Sequence, residues 1–114
     1  MRSTLDEAGF RTLSDATLAR FARYFADFDP DEVDFREADG VLTLEFADKT
    51  RYVLNRQAAT HQMWYAAGAR AWHYDWDAAR GTWHDDRDGH ELTTNVLATV
   101  ATKLGRALPA LNAG

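Results

Sequence analysis

The sequence predicts an α+β fold in which two helices pack on one face of an antiparallel meander sheet of about six strands. Three observations carry that expectation. Apolar residues recur with a helical period at both ends of the chain and with a period of two in the middle. The period-two runs are short and are separated by turn residues. The order helix, strands, helix buries both apolar stripes if the helices share one face of the sheet. The 114 residues are expected to form one domain, residues 1–114, with 107–114 as a loose tail.

The first helix is announced by Thr4 and Glu7 at capping-box spacing. Phe10, Leu13, Thr17, Leu18, Phe21, Tyr24, Phe25 and Phe28 then share one side of a helix. Gly9 weakens the first turns, and Pro30 ends the helix because the residue before a proline avoids the helical region. The period changes to two at Val33. A short strand at Val33–Arg36 is followed by Asp39-Gly40, a hairpin turn, and by Val41–Phe46, in which Leu42, Leu44 and Phe46 face one side. Ala47-Asp48-Lys49 turns the chain into Arg51–Gln57. Further strands are expected at His61–Ala66, Ala71–Trp76 and Thr82–His84. A second helix starts at Asp88 or Gly89, carries Leu92, Val96, Leu97, Val100, Ala101 and Leu104 on one stripe, and stops at Gly105.

Composition removes several function classes. The chain has no cysteine, which excludes a disulfide scaffold, thiolate zinc, cysteine-ligated clusters and thiol catalysis. That composition suits a reducing compartment, and a cytoplasmic location is expected. No apolar run approaches the roughly 18 residues of a membrane helix, and the first residues lack a signal-peptide pattern. The net charge is −5, and it is concentrated. Between Asp27 and Asp39 lie seven acids and one base, a local −6, while the remainder carries +1. A nucleic acid partner is not expected, because phosphate binding needs a basic stripe.

With both helices on one face, the other sheet face is open. Alternation puts Val53, Asn55 and Gln57 there, and Trp64 with them if Met63 and Tyr65 point to the core. The opposite parity would bury Trp64. An exposed Trp among amides has the composition of a binding hot spot. Trp72, Tyr74, Trp76 and Trp83 read as core or core edge, with Trp72 and Tyr74 on a shared face. His61, His73, His84 and His90 show no i, i+4 pair and no HExxH. His73 and Asp75 share a strand face, as a minor metal site could. No spacing argues for a nucleophile or an acid–base dyad.

Clustered Asp and Glu offer hard oxygen ligands, and a cation relieves their mutual repulsion. Read from residues alone, Asp27–Asp39 is a solvated face, a patch for a basic partner, or a cation site. A calcium EF-hand is excluded. Counted from Asp27, position 6 is Glu32 where glycine is needed, position 12 is Ala38 where glutamate is needed, and Pro30 lies inside the loop.

Gly40-Val41-Leu42-Thr43-Leu44, Leu54-Asn55-Arg56-Gln57, His61-Gln62-Met63-Trp64, Trp72-His73-Tyr74-Asp75-Trp76 and Trp83 together resemble the frataxin family, most closely its bacterial, CyaY-like branch. The resemblance covers roughly residues 40–84 by motif, and the flanking helices and acidic join extend it over almost the whole chain. It implies the frataxin-like α-β sandwich and a role in iron–sulfur cluster assembly. It further implies weak iron binding (Fe²⁺ or Fe³⁺, with other hard divalent cations admitted) on an acidic ridge, carried here by Asp27, Asp29, Asp31, Glu32 and Asp34. It also implies contact with the cysteine desulfurase and the scaffold protein through Asn55, Arg56, Gln57, Gln62, Met63, Trp64 and His73. The implied function is a regulator or iron donor, not a stand-alone enzyme, and a monomer capable of iron-dependent oligomers. Two alternatives stay open: a ferroxidase or iron-storage activity at the same carboxylates, and a metal-independent acidic module for a basic partner. The chain departs from the family pattern at Ala22, Arg23 and Ala26, where the first helix usually carries acids. Fewer and weaker iron sites are therefore expected.

Overall fold

The computed structural model describes residues 5–112. The elements run α1 (Glu7–Phe25), β1 (Val33–Ala38), β2 (Val41–Phe46), β3 (Arg51–Gln57), β4 (Gln62–Ala67), β5 (Arg70–Asp77), β6 (Thr82–Asp85) and α2 (Leu92–Leu104). All six strands form one antiparallel meander in the order β1-β2-β3-β4-β5-β6. Two helices and a six-stranded antiparallel sheet are the architecture that the periodicity predicts. Neither helix is long and apolar enough to cross a membrane.

Helix α1 begins one turn into the chain because Asp6 caps it. Its carboxylate accepts the Gly9 N–H at 2.7 Å, one of the N–H groups that the first turn leaves without a partner. The expected cap, Thr4, lies outside the described residues. Gly9 has a local reason to be there: a Cβ at this position would lie 3.0 Å from the Asp6 carboxylate. The helix ends at Phe25, well before Pro30. The Phe28 N–H turns back to the Phe25 carbonyl at 3.1 Å. Asp29 then collects the next N–H groups, its carbonyl taking Glu32 and Val33 and its carboxylate taking Asp31. These local bonds compete with the helix and close the turn into β1.

The sheet confirms the alternation. Asp39 and Gly40 both have positive φ (54° and 78°), the geometry of a tight hairpin turn. Leu42, Leu44, Phe46, Leu54, Met63, Tyr65, Tyr74 and Trp83 are buried on the helix side with Phe10, Leu18, Phe21, Phe25, Leu92, Val96 and Val100. Trp72 and Trp76 are half-buried and pack at the edge of that cluster. The buried Trp83 indole donates to Thr17 Oγ1 at 2.8 Å, tying β6 to α1.

Several boundaries differ from expectation: β1 runs on to Ala38, and β4, β5 and β6 are each displaced or extended by one residue at one or both ends. Helix α2 starts at Leu92, not at Asp88 or Gly89, and Glu91 is its cap, accepting the Thr93 and Thr94 N–H groups. The preceding residues are held instead by Asp85, whose Oδ2 accepts the Arg87 and Asp88 N–H groups. Residues 107–112 form no regular element, yet they are tied down. Tyr24 Oη donates to the Pro109 carbonyl at 2.6 Å, Arg20 donates to the Asn112 carbonyl at 2.6 Å, and Leu108 and Leu111 pack on the core.

Candidate functional site

The face without helices carries the first candidate surface. Register places Asn55 beside Trp64 and Trp64 beside His73. It also places Gln57 beside Gln62 and Gln62 beside Asp75. Met63 and Tyr65 are buried at 0% and 1% exposure, so Trp64 points to the open side and is half-buried. Its ring is not a loose flag. His73 stacks on it at 4.2 Å between centroids with 17° between planes. Its N–H donates to Gln62 Oε1 at 3.0 Å. Gln62 Nε2 in turn donates to Asp75 and Asp86, each at 3.1 Å. His73 Nδ1 lies 3.9 Å from Asp86. The result is an aromatic platform held by the His73 stack and by a chain of hydrogen bonds through Gln62, which lowers the entropic cost of any contact it makes. The indole N–H is used inside the network.

Met63 and Arg56 leave this surface. Both occupy the helix-side parity, where Met63 is core and Arg56 forms an ion pair with Asp15 of α1. Arg56 also closes over the β1–β2 turn. Its backbone N–H donates to the Gly40 carbonyl at 3.0 Å, and a Cβ at position 40 would meet its guanidinium at 2.6 Å. The His73–Asp75 pair does not form a ligand set either, since His73 faces Trp64 and Asp75 faces Gln62.

The acidic segment forms the second surface. Asp27, Asp29, Asp31 and Asp34 are exposed. Asp29 and Asp34 spend one oxygen each on local N–H groups, of Asp31 and Phe35. Glu32 is different. Arg106 grips it with Nε at 2.9 Å and Nη2 at 2.6 Å, a bidentate fork from the chain's other end. The hydrogen bond from Arg106 holds the Glu32 carboxyl below its ordinary 4.5. The sign follows. A lowered folded pKa adds stability that is present above the unfolded value of 4.5 and is lost as pH falls through the lower folded value. In Arg106→Gln the Glu32 carboxyl is expected to titrate back toward 4.5, as read by carbon-detected NMR. An unchanged midpoint would show that the fork does not hold it. The segment does not gather its carboxylates. Among the described residues, the group of three that could hold an ion is Asp85, Asp88 and His90, with ligand atoms within 4.8 Å of one another. Asp34 links the two surfaces, lining a groove on the open side of β1–β3 with Arg36, Thr43, Glu45 and Arg51.

Sequence reasoning missed the Arg106 fork and the Asp85–Asp88–His90 cluster. The fork joins residues 74 apart, which no local pattern shows. The cluster had a signal in Asp85-Asp86-Arg87-Asp88-Gly89-His90, a run hidden by assigning part of it to helix.

Residues 3–106 match the frataxin-like domain family profile. The chain belongs to the frataxin family. An iron-sulfur cluster assembly protein CyaY of Dechloromonas aromatica is 34% identical over 105 residues, covering 91% of this chain and 97% of that one. The CyaY of Pseudomonas aeruginosa is 39% identical over 98 residues, covering 86% and 88%. Frataxin from Psychromonas ingrahamii superimposes with a TM-score of 0.81 at 29% identity, over 91% and 96% of the two chains. Trimeric frataxin from the yeast Saccharomyces cerevisiae, complexed with ferrous iron, shares the fold with a TM-score of 0.66 at 24% identity, over 93% and 92%. These relatives are named as assembly proteins and not as enzymes. On the frataxin sheet of this chain, the open face and the acidic segment adjoin at β1.

Proposed function

We propose that this chain modulates iron–sulfur cluster assembly as a non-catalytic partner of the cysteine desulfurase and scaffold complex, and that it works in the cytoplasm. The observation that carries the reading is the fixed Trp64 platform on a helix-free face, in a chain whose relatives are named for cluster assembly. Asn55, Gln57, Gln62, Trp64 and His73 make the docking surface. Arg56 supports it from behind by pairing with Asp15. The acidic segment meets a basic groove on the desulfurase and touches iron as cargo. Asp27, Asp29, Asp31 and Asp34 supply hard oxygens for it, and Glu32 does so only when Arg106 releases it. Because these carboxylates do not converge, iron binding is weak, and the working form is a monomer that iron can bring together.

One observation favours the metal-independent variant of this reading. The segment's charges are spread along an exposed edge, which suits a protein surface better than one ion. A pull-down with purified desulfurase, with and without Fe²⁺ under anaerobic conditions, separates the two. Capture without iron that is lost as salt rises shows an electrostatic patch. Capture only with iron shows a bridging ion. No capture in either condition overturns the docking proposal. Oxygen consumption on adding Fe²⁺ would instead favour oxidation of iron at these carboxylates.

A further inference from the structure

We propose that Asp85, Asp88 and His90, in the loop between β6 and α2, form a binding site for one divalent transition-metal ion, separate from the acidic segment. The site lies beside the β6 edge of the sheet, while Asp34 lies on β1 at the opposite edge. It does not rest on the cluster-assembly reading.

The geometry is specific. Asp85 is 6% exposed. Its Oδ2 is occupied by the N–H groups of Arg87 and Asp88, at 2.9 and 3.0 Å. Its Oδ1 is buried and has no hydrogen-bond partner in the protein. A buried carboxylate oxygen without a donor is costly, and a cation is one group that satisfies it. Asp88 and His90 complete the set, with ligand atoms of all three residues within 4.8 Å of one another. An ion about 2.1 Å from each ligand sets such atoms about 3 Å apart, more than the 2.5 Å between Asp88 Oδ1 and His90 Nδ1 and less than the 4.8 Å limit of the set. Side-chain torsion of the exposed Asp88 supplies most of that movement.

The surroundings orient the ligands. His90 Nδ1 faces Asp88 Oδ1 at 2.5 Å, and Nε2 faces Tyr74 Oη at 2.6 Å. Asn95 Nδ2 donates to the same phenol oxygen at 2.7 Å. Without an ion, Nδ1–H donates to Asp88 and the Tyr74 hydroxyl donates to Nε2. With an ion, the imidazole takes its other neutral tautomer: Nδ1 releases its proton to solvent and becomes the ligand, Nε2 takes up a proton from solvent, and that N–H donates a hydrogen bond to Tyr74 Oη. A hydrogen bond at the far nitrogen is what fixes a ligating imidazole. One imidazole nitrogen and two carboxylate oxygens suit Zn²⁺, Fe²⁺ or Mn²⁺ better than Ca²⁺ or Mg²⁺, which take all-oxygen sets.

The test uses the full chain and the metal alone. Zn²⁺ is titrated by calorimetry, and Mn²⁺ is titrated by amide line broadening. Broadening is expected to centre on residues 85–90. Asp85→Asn and His90→Gln are each expected to weaken Zn²⁺ binding at least tenfold. A variant with Asp27, Asp29, Asp31 and Asp34 changed to Asn is expected to keep it. His90→Gln stands in if Asp85→Asn fails to fold. Broadening confined to residues 27–34, or Zn²⁺ affinity unchanged in the two site variants, would overturn the proposal.

Discussion

Trp64→Ala is expected to cut binding to the assembly complex by roughly 30-fold or more, the effect of losing a hot-spot aromatic worth about 2 kcal/mol. The same change is expected to leave the fold standing. Trp64 is half-buried on the helix-free face. It contributes a stack with His73 and a hydrogen bond to Gln62, but no wall of the core. Losing them is expected to cost about 1 kcal/mol and lower Tm by roughly 4–8 °C. Trp64→Phe separates the two contributions. It keeps an aromatic face for His73 and removes the N–H that holds Gln62. If the partner reads the flat surface, Phe retains most of the affinity. If it reads the ordered Gln62–Asp86 pair, Phe loses nearly as much as Ala. Affinity measured by calorimetry and Tm measured by circular dichroism decide the matter. A stability loss as large as a core truncation, with affinity unchanged, would show that Trp64 is a structural residue and that the docking face lies elsewhere.

How far this surface could be read in advance depended on the kind of order involved. Alternation is strict in a strand, so the buried Leu42, Leu44, Leu54 and Tyr65 leave their neighbours Thr43, Val53, Asn55 and Trp64 on the other side. Strand limits at Val41–Phe46 and Arg51–Gln57 were legible because turn residues bracket each run. Arg56 was legible as a helix-side residue by the same alternation that puts Asn55 and Gln57 on the open face, but a family motif carries neighbours along regardless of face. The start of α2 was misplaced because Asp88 is a preferred cap by type and Glu91 is not, and only the folded surroundings make Glu91 the cap. Asp85 and the β6–α2 loop retain Asp88 outside the helix. Glu32 looked like one acid among several. Its fork with Arg106 forms at the end of α2, where Gly105 caps the helix and the Arg106 N–H returns to the Ala101 carbonyl. Such long-range pairings decide which carboxylates of an acidic run are free, and local sequence is silent on them.

The largest stability effect is expected at Trp83, the residue that locks the far end of the sheet to α1. Trp83 is 1% exposed. It packs edge-on against Phe10 at 6.0 Å and Trp76 at 5.2 Å, and its N–H reaches Thr17 Oγ1, which itself donates to the Leu13 carbonyl at 2.8 Å. Trp83→Ala leaves a large cavity and is expected to cost about 3–5 kcal/mol. That is a large share of a total that for most domains is about 5–15 kcal/mol. Denaturant unfolding is expected to show the midpoint falling with little change in slope, as for a change in stability alone. The hydrogen bond can be isolated from the cavity. Trp83→Phe leaves the Thr17 oxygen without its donor, and Thr17→Val leaves the indole without its acceptor, so each single change carries a desolvation penalty of about 1–3 kcal/mol. The double change carries neither penalty and is expected to cost less than the sum of the two by about 1 kcal/mol. Strict additivity would mean that packing alone joins β6 to α1. Coupling would mean that the bond fixes the height of β6, and with it Asp85 two residues on. In that case Trp83→Phe should also weaken Zn²⁺ binding at the β6–α2 loop.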